Sequence, residues 1–215
     1  MLRSWVFRGS NSVVRIRPPV VLKTCFDRDQ ADREVRVLRA LEHADVAPRL
    51  LSYRPPMLRM AFAGTAVADA LPGTTDEIRW LLERTLQCLA VVHAEGFVHN
   101  DVKPDNLLFD GRNLRLCDFG GATECSDDDW TDLCGKRPST TRVYAAPEVW
   151  NCWYSGPKSD VFSLGRSAFA IATGELPCDS LVLEDPHLAR FVAACVSDAY
   201  DDRPSVDEAL QLLST

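Results

Sequence analysis

The chain has 215 residues, of which 46% are hydrophobic and 26% charged, and a formal net charge of −7. Such a composition can bury a core within one domain and argues against intrinsic disorder. The acidic balance advertises no basic face for neutralising phosphates, so no nucleic-acid partner is expected. The eight cysteines, at positions 25, 88, 117, 125, 134, 152, 178 and 195, contain no C-x-x-C pair, and residues 1–11 hold no apolar signal core. Reduced thiols and an intracellular protein, in cytoplasm or nucleus, are therefore expected. No apolar run approaches the ~20 residues a membrane-spanning helix needs, so no membrane partner is expected either.

Along the first sixty residues short β-rich runs alternate with one charged helical stretch. Val13–Ile16 and Val20–Leu22 are β-branched and parted by Pro18-Pro19, which predicts two strands joined by a turn. Over Asp29–Leu41 the spacing of Ala31, Val35, Leu38 and Leu41 predicts a helix. Arg33, Arg36 and Arg39 then face water and Glu34 sits at the edge of the apolar stripe. Met57–Ala63 reads as a connecting strand and hinge, and the boundary near Phe62–Thr65 separates a small β-containing lobe, residues 1–62, from a helical lobe, residues 65–215. Beyond it, Thr74 and Glu77 form a capping box. Ile78, Leu81, Leu82, Leu86, Leu89 and Val92 then trace one helical face that should stop near Gly96. That rigid helix delivers a polar segment starting at His99.

From His99 the chain reads HNDVKPDNLL, from Asn113 NLRLCDFGG, from Thr140 TTRVYAAPEVW and from Ser159 SDVFSLG. This order resembles the protein-kinase signature set H-x-D-x-K-x-x-N, D-F-G and A-P-E. The resemblance implies an α+β, bilobal protein-kinase-like fold and phosphoryl transfer, which demands a positioned hydroxyl, neutralised phosphate charge and a bridging metal. By resemblance, Asp101 orients the acceptor hydroxyl, Lys103 stabilises the transferring group, and Asn106 with Asp118 holds Mg²⁺. Lys103, two residues after the aspartate, is similar to the serine/threonine pattern, so the implied cofactors are ATP and Mg²⁺ and the implied partner is a protein with a Ser or Thr acceptor. His99 is implied to scaffold the loop. Upstream, Val20-Val21-Leu22-Lys23 resembles the strand carrying a phosphate-orienting lysine, and Glu34 its helical ion-pair partner. Met60 and the backbone from Ala61 to Ala63 are implied to frame adenine. Thr141 is expected near Asp101, Arg203 beside Glu148, and Asp160 and Gly165 at a buried helix behind the catalytic loop. The Asp127–Asp129 triplet reads first as a solvated acidic loop and second as a recruiter of basic substrates.

Three departures accompany the resemblance. Where the family shows G-x-G-x-x-G-x-V, residues 7–14 read FRGSNSVV, so of the glycines only Gly9 survives, with Val14 closing the run. A Ser/Asn-rich turn can still approach phosphates through backbone amides, with less tight closure. Asn100 stands where the family often carries an arginine that grips a phosphorylated activation loop, which predicts activity not gated by loop phosphorylation. Only 28 residues separate Gly174 from Arg203, a span that implies a lost helix and loop. Three functions remain in play: a serine/threonine protein kinase, a pseudokinase scaffold that binds nucleotide or a partner without turnover, and a small-molecule kinase on the same fold.

Overall fold

A computed structural model of the protein describes residues 4–125, 130–136, 138–178 and 180–214. Its N-terminal part is one antiparallel sheet with a helix. Trp5–Arg8 (β1), Ser12–Arg17 (β2) and Val20–Cys25 (β3) are followed by the helix Arg28–Ala40 (α1), then by Leu50–Arg54 (β4) and Met57–Ala61 (β5). The strand order is β1-β2-β3-β5-β4. The two central strands fall where the β-branched runs predict them, and the prolines between them form the turn. β1 and β4 lie in stretches with no clean alternation to mark them.

Asp27 caps α1 by accepting the Asp29 N–H at 3.0 Å. The helix stops one residue short of the predicted end, because Leu41 opens a 3₁₀ turn over residues 41–43 while staying buried. Its buried face is wider than the apolar stripe alone, taking in Gln30, Glu34 and Val37. Two of the arginines expected to face only water are engaged: Arg33 Nε donates to the Gly120 carbonyl at 3.2 Å, and Arg36 pairs with Glu124.

After a short strand Thr65–Ala66 (β6) comes the long helix Thr75–Ala94 (α2). Its capping box is complete, with Thr74 Oγ1 accepting the Glu77 N–H at 3.3 Å and Glu77 Oε2 accepting the Thr74 N–H at 3.1 Å. Gly96, at φ +78°, ends it, a backbone conformation that glycine adopts without a Cβ penalty. Short strands Phe97–Val98 (β7), Leu107–Phe109 (β8), Leu114–Leu116 (β9) and Thr123–Glu124 (β10) frame the polar segments. The chain continues through Thr131–Asp132 (β11), the one-turn helix Pro147–Trp150 (α3), Tyr154–Ser155 (β12), and the helices Pro157–Thr173 (α4), Pro186–Cys195 (α5) and Val206–Ser214 (α6).

Between Gly174 and Arg203, α5 is the one helix among the described residues. Gly165 lets it lie close on α4, since a Cβ there would stand 2.6 Å from the Cβ of Cys195. The main apolar core runs from Leu38 and Leu58 through Leu82, Leu107 and Phe119 to Phe191 and Leu213, and Ala146, Val149 and Phe162 form a small second cluster. Cys25, Cys88, Cys117, Cys134, Cys152, Cys178 and Cys195 are free thiols. Among the described residues no helix is long and apolar enough to cross a membrane.

Candidate active site

A cavity of about 440 Å³ opens between the sheet and the helical part. Strand register builds its ceiling, because side chains directly opposite one another share a face. Trp5 pairs with Ile16, Ile16 with Val21 and Val21 with Met60, while Phe7 pairs with Val14 and Val14 with Lys23. Every residue of these two rows lines the cavity, so the ceiling is apolar apart from Lys23. At the end of β5 the Ala61 N–H donates to Arg49 O at 2.9 Å and the Phe62 N–H to Pro19 O at 2.9 Å. Those two donors are committed within the fold, and Ala63 also lines the cavity.

Gly9 is the exception among the nucleotide-facing candidates. It sits in the β1–β2 turn, donates to Ser12 O at 3.0 Å, and is not among the cavity-lining residues. A Cβ there would meet only Ser12 O, at 3.8 Å, so its backbone and surroundings do not demand glycine. The tip of this hairpin turns toward the later chain, where Asn11 Nδ2 donates to Ser139 Oγ at 2.7 Å.

Lys23 is buried at 4% exposure and reaches two carboxylates, Glu34 at 2.6 Å and Asp118 at 2.7 Å. Burial pulls its ammonium toward neutrality, but the two negative charges and their hydrogen bonds more than offset this and hold it charged, above its ordinary range. For Asp118, burial pushes the carboxyl up and Lys23 outweighs that push, so it lies below the usual carboxylate value. Asp118 itself takes a left-handed backbone, φ +64° and ψ 64°, at the start of the Asp118-Phe119-Gly120 turn. Gln30 of α1 packs on that turn so closely that a Cβ on Gly120 would lie 2.4 Å from its Nε2. Together with the bond from Arg33, this contact fastens α1, and hence Glu34, to the turn carrying Asp118.

Below the ceiling, the segment after β7 is held from several sides. Asp160, fully buried near the start of α4, accepts the N–H groups of His99 and Asn100, each at 2.8 Å. His99 accepts the Asp101 N–H on Nδ1 at 3.2 Å and donates from Nε2 to Cys117 O at 3.0 Å, with its ring 4.8 Å from that of Phe119. That arrangement makes it a scaffold. Asp101 then presents its carboxylate to three groups: Thr141 N–H at 2.7 Å on Oδ1, and Lys103 Nζ at 2.7 Å and Asn106 Nδ2 at 3.0 Å on Oδ2. Lys103 also donates to Thr141 Oγ1 at 2.6 Å.

Because Asn106 spends its NH₂ on Asp101, its carbonyl oxygen is turned away from that residue, and Asn106 and Asp118 both line the cavity. One amide oxygen and one carboxylate, with a carboxylate oxygen beyond that used by Lys23, are hard donors that suit Mg²⁺. Among the described residues no cluster of three or more His, Cys, Asp or Glu forms a ready metal cage.

Beyond Thr141, the Glu148 carboxylate takes both ends of the Arg203 guanidinium, at 2.7 and 2.9 Å, and the Ser159 hydroxyl at 2.7 Å. The predicted pairs Lys23 with Glu34, Asp101 with Thr141, and Glu148 with Arg203 are thus all in contact. The Asp127–Asp129 triplet lies outside the described residues. Sequence reasoning missed the aromatic pair Trp5 and Phe7, and Asp69 and Asp105 at the cavity wall. It also gave Asn100 no positive role.

A profile described as the protein kinase domain matches residues 22–213. The chain is similar to the SNF1-like protein kinase ssp2 of Schizosaccharomyces pombe, 30% identical over 78% of this chain and 30% of that protein. It is 29% identical to the serine/threonine-protein kinase KIC1 of Saccharomyces cerevisiae over 96% of this chain and 22% of that protein. A probable serine/threonine-protein kinase CHK1 homolog of Encephalitozoon cuniculi is 28% identical over 75% of this chain and 41% of its own length. The chain therefore spans less than half the length of each of these relatives.

Proposed function

We propose, from the premise that this chain belongs to the protein kinase domain family, that it transfers the γ-phosphoryl group of ATP to serine or threonine hydroxyls of proteins in a Mg²⁺-dependent reaction. The observation that carries this reading is the contact of Asp101 with Lys103, Thr141 and Asn106 beside the Lys23–Asp118 pair. Asp101 would accept or orient the acceptor hydroxyl, and Lys103, shared between Asp101 and Thr141, would offset charge on the transferring group. Lys23, held charged by Glu34, would orient the nucleotide's phosphates. Val14, Met60 and Ala63 would bound the base, with Ala63 the hinge position left to take its edge. Magnesium, held by Asn106 and Asp118, would neutralise phosphate charge. The acceptor type follows from Lys103, the residue that resembles the serine/threonine pattern, and from the serine/threonine-protein kinases among the relatives.

Residues 1–62 and 65–215 would act as the two lobes around this site. One observation favours a second reading, a nucleotide-binding scaffold without turnover: Gly9 stands away from the cavity and the hairpin tip is bonded to Ser139. The deciding experiment incubates the chain with labelled ATP and Mg²⁺ against an array of Ser, Thr and Tyr peptides and a panel of small hydroxyl metabolites. Transfer to Ser or Thr peptides, lowered about 10³-fold by Asp101→Asn, is expected. Binding of ATP without transfer would move the assignment to the scaffold, and labelling confined to metabolites would move it to a small-molecule kinase.

A further inference from the structure

The turn that joins β1 to β2 overhangs the mouth of the cavity, because Phe7 and Val14, opposite each other on its two sides, both line that cavity. Val14 is in turn opposite Lys23, so the turn hangs at the end where Lys23 meets Asp118. Within it the Gly9 N–H donates to Ser12 O at 3.0 Å, and Asn11 O accepts the Phe26 N–H at 2.9 Å. These backbone bonds set the shape of the turn and leave the Asn11 side chain to reach outward. Its Nδ2 donates to Ser139 Oγ at 2.7 Å, a partner 128 positions away in the chain.

Ser139 is itself held from behind. A Cβ on Gly121, three residues after Asp118, would overlap the Ser139 carbonyl. Gly121 does not take a positive φ, so this approach of backbone to backbone is what calls for glycine there. The next two residues lead to the acceptor side: Thr140 Oγ1 donates to Asn100 O at 2.7 Å, and the Thr141 N–H to Asp101 Oδ1 at 2.7 Å. Three consecutive residues thus touch the hairpin tip, the residue before Asp101, and Asp101 itself.

We propose that Asn11 and Ser139 form a latch that holds the β1–β2 hairpin down over the bound nucleotide and couples its opening to residues 139–141 on the acceptor side. A side-chain bond to a distant segment then does the closing in a turn that has a single glycine. Whatever steadies residues 139–141 also slows opening, and the coupling is reciprocal. For its two ligands, nucleotide and acceptor, the proposal rests on the phosphotransfer reading above.

The test follows dissociation of a fluorescent ADP analogue from the full chain with Mg²⁺, with and without a Ser/Thr acceptor peptide. Asn11 and Ser139 are half-buried, so their alanine variants should fold. Asn11→Ala and Ser139→Ala should each speed dissociation about threefold to tenfold, the scale of one side-chain hydrogen bond. The double variant should be no faster than either single one, and Ser139→Thr, which keeps the hydroxyl, should stay within about twofold of the unaltered chain. The peptide should slow dissociation from the unaltered chain and have no effect on it in either alanine variant. Without nucleotide, hydrogen exchange at the Gly9 and Phe26 amides should quicken in both.

Unchanged dissociation, additive single effects, or a peptide effect that survives in the variants overturns the latch and leaves the phosphotransfer reading intact. If dissociation responds as expected but no peptide is labelled, the phosphotransfer reading fails and the latch stands as a nucleotide clasp. If the chain binds no nucleotide, both fall.

Discussion

On the sheet side of the cavity, Trp5, Phe7, Val14, Ile16, Val21 and Met60 present carbon, and the two aromatics are about half exposed. On the loop side, His99, Asn100, Asp101 and Asn106 are all buried, and each is engaged by two or more polar partners. The two walls obey different energetics. Dispersion contacts are small and many, so an apolar ceiling can be reshaped at modest cost. A buried polar group that loses one partner bears the full desolvation penalty, so a polar wall fails abruptly. Substitutions should therefore grade in effect from loop to ceiling.

The largest effect is expected where the loop side is buttressed. Arg203→Ala leaves Glu148 buried and without its bidentate partner, and should lower unfolding stability by about 3–5 kcal/mol in denaturant titration. A loss under about 1 kcal/mol would mean that Ser159 alone satisfies Glu148 and that the buttress is redundant. Next comes the residue that belongs to both walls. Lys23→Met keeps the stem and deletes the ammonium, and should lower kcat/KM about 10²-fold, the scale of one charge-stabilising donor. Because the variant leaves Glu34 and Asp118 facing each other, Lys23→Met combined with Glu34→Gln should recover stability without recovering rate. Equal recovery of both would make the lysine a packing residue.

The same contrast explains what was legible in the sequence. Asp101, Lys103 and Asn106 sit within six residues of one another, and Asp118 follows shortly after, so they form a local string whose order carries the resemblance to the family. The long helix α2 was equally plain, since its cap and its apolar period agree. The ceiling was not. Trp5 lines the cavity because it pairs with Ile16, which pairs with Val21, which pairs with Met60; that row is a product of register across four strands and leaves no contiguous signature. Gly9 shows the converse failure: matching a motif glycine located a turn, yet hairpin geometry carried that turn away from the cavity wall. Asn100 was legible as an unusual residue, but its hydrogen bonds come from Thr123, Thr140 and Ser155, whose hydroxyls reach it only in the folded chain.

A smaller effect is expected on the ceiling. Phe7→Ala removes one half-exposed ring from the row that also holds Val14 and Lys23, and should raise the KM for ATP about threefold to tenfold with kcat nearly unchanged. Trp5→Ala, in the neighbouring row, should act alike, and the double variant should be close to additive because the rings sit in separate cross-strand rows. A fall in kcat instead would show that the aromatic ceiling aligns the phosphates and does more than cover the base.

The smallest effect concerns pH and separates the walls at their shared residue. Glu34 is pushed above its ordinary 4.5 by burial, with Lys23 opposing, whereas Asp118 lies below its ordinary 3.8 because Lys23 outweighs burial. The signs are opposite. A carboxyl whose folded value is raised favours folding most in its protonated form, so the Glu34 contribution grows as pH falls through its folded value and is lost as pH rises past it. A carboxyl whose folded value is depressed contributes above its ordinary value, so the Asp118 contribution is lost only as pH falls below 3.8. On acidification Lys23 should therefore release α1 before it releases the loop side. Subtracting stability curves of Glu34→Gln from those of the unaltered chain should give a difference that changes above pH 4.5, and the Asp118→Asn subtraction one that changes below pH 3.8. Two difference curves moving together would mean that Lys23 binds its carboxylates as one unit and that the walls are not energetically distinct there.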